Sequence, residues 1–196
     1  MGSELAHWDY LGNSPRKRGP LGPGWISRGV RIVGHRTMRI LAIASVAALS
    51  ATALGTTTAD AEVCWKYRER ERKLFKKINR ARSSRGIVKL DKDPQLSKVA
   101  RRHSRRMADK RDVYHSGNLG GVVTKWTMLA ENVGKAESVK KAHKAFMDSS
   151  AHRANILESS YAHFGVGVIK DHGKVWVTEV FEAQANPGTT LDMPTC

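Results

Sequence analysis

Apolar positions recur at helical spacing through the middle of the chain and at strand spacing near its end. Leu96, Val99, Ala100, His103 and Met107 fall three and four residues apart, on one helix face. Asp93 can cap the first turn and Pro94 suits the first helical position, so a helix is predicted over 94–110. A second helix is predicted over 65–84, where Trp65, Leu74, Phe75, Ile78 and Ala81 form a ragged stripe among Arg, Glu and Lys, and Gly86 ends it. A third is predicted over 136–149, with Val139, Ala142, Ala145 and Phe146 inward. Residues 112–128 contain Gly117, Gly120 and Gly121 and read as a loop. Phe164–Ile169 and Val175–Phe181 read as strands joined by the turn Asp171-His172-Gly173. Helices followed by a terminal hairpin predict an α+β domain.

The first third differs. Residues 40–59 carry no charge, Arg36 and Arg39 precede them, and Ala59-Asp60-Ala61 is a small-x-small pattern. This is the layout of a secretory signal peptide over 38–61, cut after Ala61. An uncleaved anchor is the alternative, but Ala and Thr make a weak span. Residues 1–37 hold three of the six Pro and seven of the 17 Gly, which marks a disordered leader or a mis-assigned start, with Met38 opening the signal. The expected exported domain is then 62–196, with no transmembrane span.

Composition narrows the classes. Two cysteines exclude a disulfide-dense scaffold and a four-cysteine zinc site. Cys64 and Cys196 both lie in the exported part, near its two ends, so a disulfide between them is expected. Residues 62–196 hold 27 Lys and Arg against 15 Asp and Glu, a net charge of +12. Such a surface suits anionic partners, namely wall polymers or acidic lipid. Nucleic acid is not expected, for the chain carries no recognised reader motif.

Six histidines remain after residue 61. His103 lies on an apolar stripe and is expected in the core. His143, on a Lys-rich helix, is expected in solvent, and His163 and His172 are expected to be structural. His115 and His152 each sit in or beside a polar loop, and Glu131 is a lone carboxylate in an apolar setting followed by Asn132, which can fix Glu131 and the backbone by hydrogen bonds. Two imidazoles and a carboxylate can hold a divalent ion, zinc above all. The sequence has no HExxH, CxxC or GxSxG motif, and no activated nucleophile is visible.

One ordered set of segments adds to this. Ile78-Asn-Arg-Ala-Arg82, Leu90-Asp-Lys-Asp-Pro-Gln-Leu96, Ala100-Arg-Arg-His-Ser104, Met107-Ala108, His115-Ser116, Ala130-Glu-Asn132, Phe146-Met-Asp-Ser149, Ala151-His-Arg-Ala-Asn-Ile-Leu157, Phe164-Gly-Val-Gly-Val168 and Trp176-Val-Thr-Glu-Val-Phe181 resemble the bacterial SCP-like branch of the CAP superfamily. The resemblance spans about residues 70–182 and implies secretion and an α–β–α sandwich, with a mixed sheet between helical layers. It also implies a cleft with two histidines and two acidic residues, which holds a divalent metal in several members. His115, Glu131 and His152 match three of those positions. The fourth falls on Ser149, with Asp148 adjacent, which weakens the metal site. Glu179 stands where many bacterial members carry Gln, and restores the missing charge if its side chain faces the cleft.

Three functions follow as expectations. The first is a monomeric, secreted binding protein, with zinc in the cleft and an anionic lipid or cell-wall polymer as partner. The second is a metal-dependent extracellular hydrolase, with Glu131 as base and His115 or His152 as acid. The third is a structural or interaction domain in which the same groups satisfy one another.

Overall fold

The computed structural model describes residues 4–5 and 64–196. The expected signal peptide, 38–61, and all of 1–37 except Glu4 and Leu5 lie outside the described residues. In chain order the elements are β1 (Glu4–Leu5), α1 (Glu69–Ser83), β2 (Asp91–Lys92), α2 (Pro94–Lys110), α3 (Leu119–Val122), β3 (Val123–Thr124), β4 (Leu129–Ala136), α4 (Val139–Asp148), α5 (Ser150–Leu157), β5 (His163–Asp171), β6 (Lys174–Glu182) and β7 (Gly188–Thr189).

The main sheet runs β1-β4-β6-β5-β2. β4, β6 and β5 are antiparallel, and β2 joins β5 in parallel, so the sheet is mixed. Glu4 and Leu5 pair with Lys135 and Gly134 along the outer side of β4, which is the kind of edge a short strand covers. β3 and β7 form a separate two-stranded ribbon.

Alternation along the strands sorts side chains to two faces. Ala130, Phe164, Val166, Val168, Val175, Val177 and Phe181 join Leu74, Phe75 and Ile78 of α1, Ala142 and Phe146 of α4 and Ile156 of α5 in one core. Leu129, Val133, Ile169, Trp176 and Val180 face the opposite way, toward Leu96, Val99, Ala100 and Met107 of α2. The result is the expected α–β–α sandwich, with α2 and the short α3 on one layer and α1, α4 and α5 on the other.

Local chemistry explains the elements. Asp93 caps α2 by accepting from the Leu96 amide at 2.7 Å, with Pro94 at the start as predicted. Gly165 and Gly167 lie directly beneath α2. A Cβ at Gly165 would meet the Leu96 carbonyl carbon at 2.1 Å, and one at Gly167 the Ala100 carbonyl carbon at 2.3 Å. The Gly-Val-Gly repeat of β5 therefore brings α2 down onto strand backbone. Arg82 is fully buried and donates to the carbonyls of Val88, Ile156 and Glu158, which pins the end of α5 to α1. Cys64 and Cys196 are bonded, as expected, with Cα atoms 5.0 Å apart and 132 positions of chain between them.

Four expectations are corrected. The first helix begins at Glu69, later than residue 65. Residues 129–136 are strand β4, so the helix predicted from 136 starts at Val139; β4 is buried on both faces and shows no clean alternation. Residues 112–128 contain the short α3 and β3. His143 is half-buried, with its Nδ1 enclosed, and is not free in solvent; burial and the neighbouring Lys77 push its pKa down to about 4. His103 is fully buried, as expected.

Candidate functional site

Glu131 and Asn132 are consecutive in β4 and therefore project to opposite faces. Glu131 points toward α2 and the segment that follows it. Its Oε2 accepts from His115 Nδ1 at 2.9 Å and from the Ser116 amide at 2.9 Å, and its Oε1 accepts from the Ser116 hydroxyl at 2.6 Å. The His115 and Glu131 side chains are 5% and 3% exposed, so the pair is nearly dry. Burial works to raise the Glu131 pKa. The His115 bond, nearby His103 and the two Ser116 donors outweigh it and hold the carboxyl below its ordinary value.

His103 buttresses this group from α2. Its Nε2 lies 2.7 Å from the Tyr114 carbonyl, which can only accept, so Nε2 carries the proton. Nδ1 then accepts from Arg106 at 3.0 Å. Burial lowers the pKa of His103, in keeping with a neutral ring. The backbone on both sides of His115 is thus tied down, Tyr114 to α2 and Ser116 to β4.

Asn132 points to the other layer. Its amide donates to the His152 carbonyl at 3.1 Å and to Glu179 Oε2 at 2.9 Å, and its own oxygen accepts from Asn155 at 2.9 Å. His152 lies within α5, so the loop expected around it is a helix. Its ring stacks on Phe146, centroids 5.2 Å apart, and its Nδ1 meets the Ser149 hydroxyl at 2.7 Å. Ser149, the residue joining α4 to α5, therefore answers His152 with a hydrogen bond and no charge. Glu179 is fully buried in the row Val177-Glu179-Phe181. Burial pushes its pKa up to about 8, against the Asn132 hydrogen bond. A carboxyl that is neutral at pH 7 does not restore a missing negative charge, contrary to the expectation for Glu179.

A cavity of about 360 Å³ opens beside this region. Its wall includes His103, Ser116 and Asn118, the apolar Leu119 and Leu191, and the cations Arg102 and Arg106, but not His115, Glu131 or His152.

The family model of the cysteine-rich secretory proteins, CAP, matches residues 75–181, more than half of the chain. The chain belongs to the CAP family. The protein YkwD of Bacillus subtilis, itself uncharacterized, is 30% identical over 145 residues, covering 69% of this chain and 55% of that protein. The chain thus spans about half the length of this curated relative. An extracellular SCP-domain protein of Bacillus anthracis is 25% identical, with a TM-score of 0.50 over 59% of this chain and 40% of its own. An outer surface protein of Borrelia burgdorferi shares the fold at 14% identity, with a TM-score of 0.56 over 63% of this chain and 98% of its own.

The expected CAP zinc ligands are His115, Glu131 and His152. His115 and Glu131 are in direct contact, and His152 is tied to the next residue of the same strand. Among the described residues no group of three or more His, Cys, Asp or Glu side chains is placed to hold a metal ion. Both oxygens of Glu131 already accept protein hydrogen bonds, and Ser149 takes the place of an acid. A zinc ion held by these residues would compete with the Ser116 and His115 donors for Glu131. Asn132 fixes backbone by a hydrogen bond, as the sequence suggested, but its carboxylate partner is Glu179 and not Glu131; Asn155 and Ser116 are the site residues whose roles the sequence did not disclose. Their only signal was adjacency to His152 and His115.

Proposed function

We propose that this CAP domain is exported and acts at or outside the cell surface as a binding protein, on an anionic lipid or wall-polymer partner, without turnover. The observation that carries the reading is the closed hydrogen bonding of Glu131. Of about four lone-pair sites on the carboxylate, Ser116 and His115 fill three, and a side chain only 3% exposed gives the fourth little access to water or substrate. The group therefore reads as a brace that fastens the 112–118 segment to β4. Export is supported by the Cys64–Cys196 disulfide, a bond that persists in oxidising compartments. It is supported also by the leader pattern at 38–61 and by the extracellular relatives named above. Among the described residues no helix is long and apolar enough to cross a membrane. The net charge of +12 over 62–196 supports the anionic partner.

The zinc reading retains one supporting contact, the 2.9 Å between His115 and Glu131. It sets the ion in competition with the Ser116 donors of Glu131. The hydrolase reading has no comparable support.

Retention on purified anionic wall material and on acidic vesicles tests the proposal, with wild type beside Glu131→Gln. Salt-labile retention equal in the two proteins is expected. Loss of retention in the variant, or hydrolysis of the bound material that the variant lacks, overturns the proposal.

A further inference from the structure

The described surface carries a groove of about 1160 Å³ between α1, the first turn of α4 and the β5–β6 hairpin. Ten Lys and Arg side chains line it against one carboxylate, Glu137. That carboxylate is already engaged, by Lys174 at 2.9 Å and Lys141 at 3.4 Å. Among the described residues, Lys76, Lys77, Arg80, Lys140 and Lys170 have no carboxylate within 4.0 Å. On α1, Lys76 and Lys77 are adjacent, and Lys73, which pairs with Glu69 at 2.6 Å, and Arg80 lie about one helical turn to either side of them, roughly 5 Å along the axis. Lys140 and Lys170 face them from α4 and β5. The first turn of α4, capped by Ser138, opens into the same groove and adds a favourable field for anions.

Holding like charges together without counter-charges is unfavourable in the free protein and is relieved by an anionic occupant. The groove is concave, whereas a bilayer surface is flat. Its two aromatic rings are Phe75, buried edge-on between Tyr67 and Phe164, and the half-buried imidazole of His143, so successive bases find no row of exposed faces on which to stack. A line of cations repeating each helical turn suits a flexible strand of repeating phosphates. We infer that the α1–α4 groove is a binding site for a linear, phosphate-bearing polymer that lacks bases. This rests on the reading of the domain as a binder of anions, and names the surface and the ligand class.

The test is binding of end-labelled long-chain inorganic polyphosphate to the intact chain, followed by fluorescence anisotropy over a salt series. Three variants accompany the wild type. Lys76→Gln/Lys77→Gln/Arg80→Gln removes one wall, Lys140→Gln/Lys170→Gln the other, and Arg102→Gln/Arg105→Gln/Lys110→Gln removes three exposed charges from α2 as a control. The wall variants are expected to bind about tenfold or more weakly with a shallower salt slope, and the control to change about twofold or less. Equal weakening by wall triple and control overturns the groove while leaving an anion-binding domain intact. Tighter, groove-dependent binding of acidic vesicles or single-stranded DNA overturns the ligand class. No binding of any polyanion at low salt overturns both the inference and the function on which it rests.

Discussion

Replacing Glu179 by Gln should stabilise this domain at neutral pH and flatten its pH dependence. Glu179 is fully buried, one oxygen accepts from Asn132 at 2.9 Å, and the other has no partner among the described residues. Burial pushes its pKa up to about 8 in the folded chain, against the ordinary 4.5. A raised folded pKa means that the native state keeps a proton which the unfolded chain has released. Stability is therefore full below about pH 4.5 and falls as pH rises toward 8. The slope approaches about 1.4 kcal/mol per pH unit, or ~3 kcal/mol between pH 5 and 7. Glu182, pushed up to about 7 chiefly by burial, adds to the same slope. Gln keeps the acceptor for Asn132 and carries no charge at any pH. At pH 5 the variant should match the wild type to within about 1 kcal/mol, since each leaves one buried polar group unpaired. At pH 7 it should unfold about 10 °C higher, at roughly 3–4 °C per kcal/mol for a domain of this size. Thermal unfolding by circular dichroism at half-unit steps from pH 5 to 8 measures this. Parallel wild-type and variant curves, or a variant less stable throughout, would refute the argument.

Other outcomes follow from the same contacts. Glu131→Gln should cost about 1–3 kcal/mol at pH 7 and speed amide hydrogen exchange across 112–118 while leaving α1 unchanged. Glu131 also gives the opposite pH sign to Glu179: with its pKa held down, its contribution is present above 4.5 and is lost as pH falls, seen as acid destabilisation that Glu131→Gln removes. Gly167→Ala should cost about 3 kcal/mol in denaturant unfolding, since its Cβ would sit 2.3 Å from the Ala100 carbonyl carbon and force α2 off β5. Cys64→Ser/Cys196→Ser should lower stability by up to about 5 kcal/mol, the chain-entropy value for a closed loop of 132 residues, measured as the drop in unfolding free energy under non-reducing conditions.

The elements that the sequence disclosed are those whose signals are local. Asp93 and Pro94 announce α2, and Asp171-His172-Gly173 announces the hairpin, where His172 and Gly173 both adopt positive φ. β4 escaped because its neighbours are distant in sequence. Leu129-Ala-Glu-Asn-Val133 alternates between two buried faces, so polar Glu131 and Asn132 sit where a half-exposed strand would carry one apolar residue. α5 escaped because its support is tertiary, from Arg82 at its end and Phe146 against His152. At the site, the pairing of His115 with Glu131 was legible from residue type and the CAP resemblance. The occupation of the carboxylate by Ser116 was not, since a backbone amide leaves no mark in the sequence.

His115, Glu131 and Ser116 form a hydrogen-bonded brace between the 112–118 segment and β4. Calorimetric titration with zinc at pH 7, comparing wild type with His115→Ala/His152→Ala, tests it most directly. Indistinguishable titrations are expected, with no stoichiometric event in either protein. A one-to-one zinc isotherm in the wild type that disappears in the double variant would contradict it.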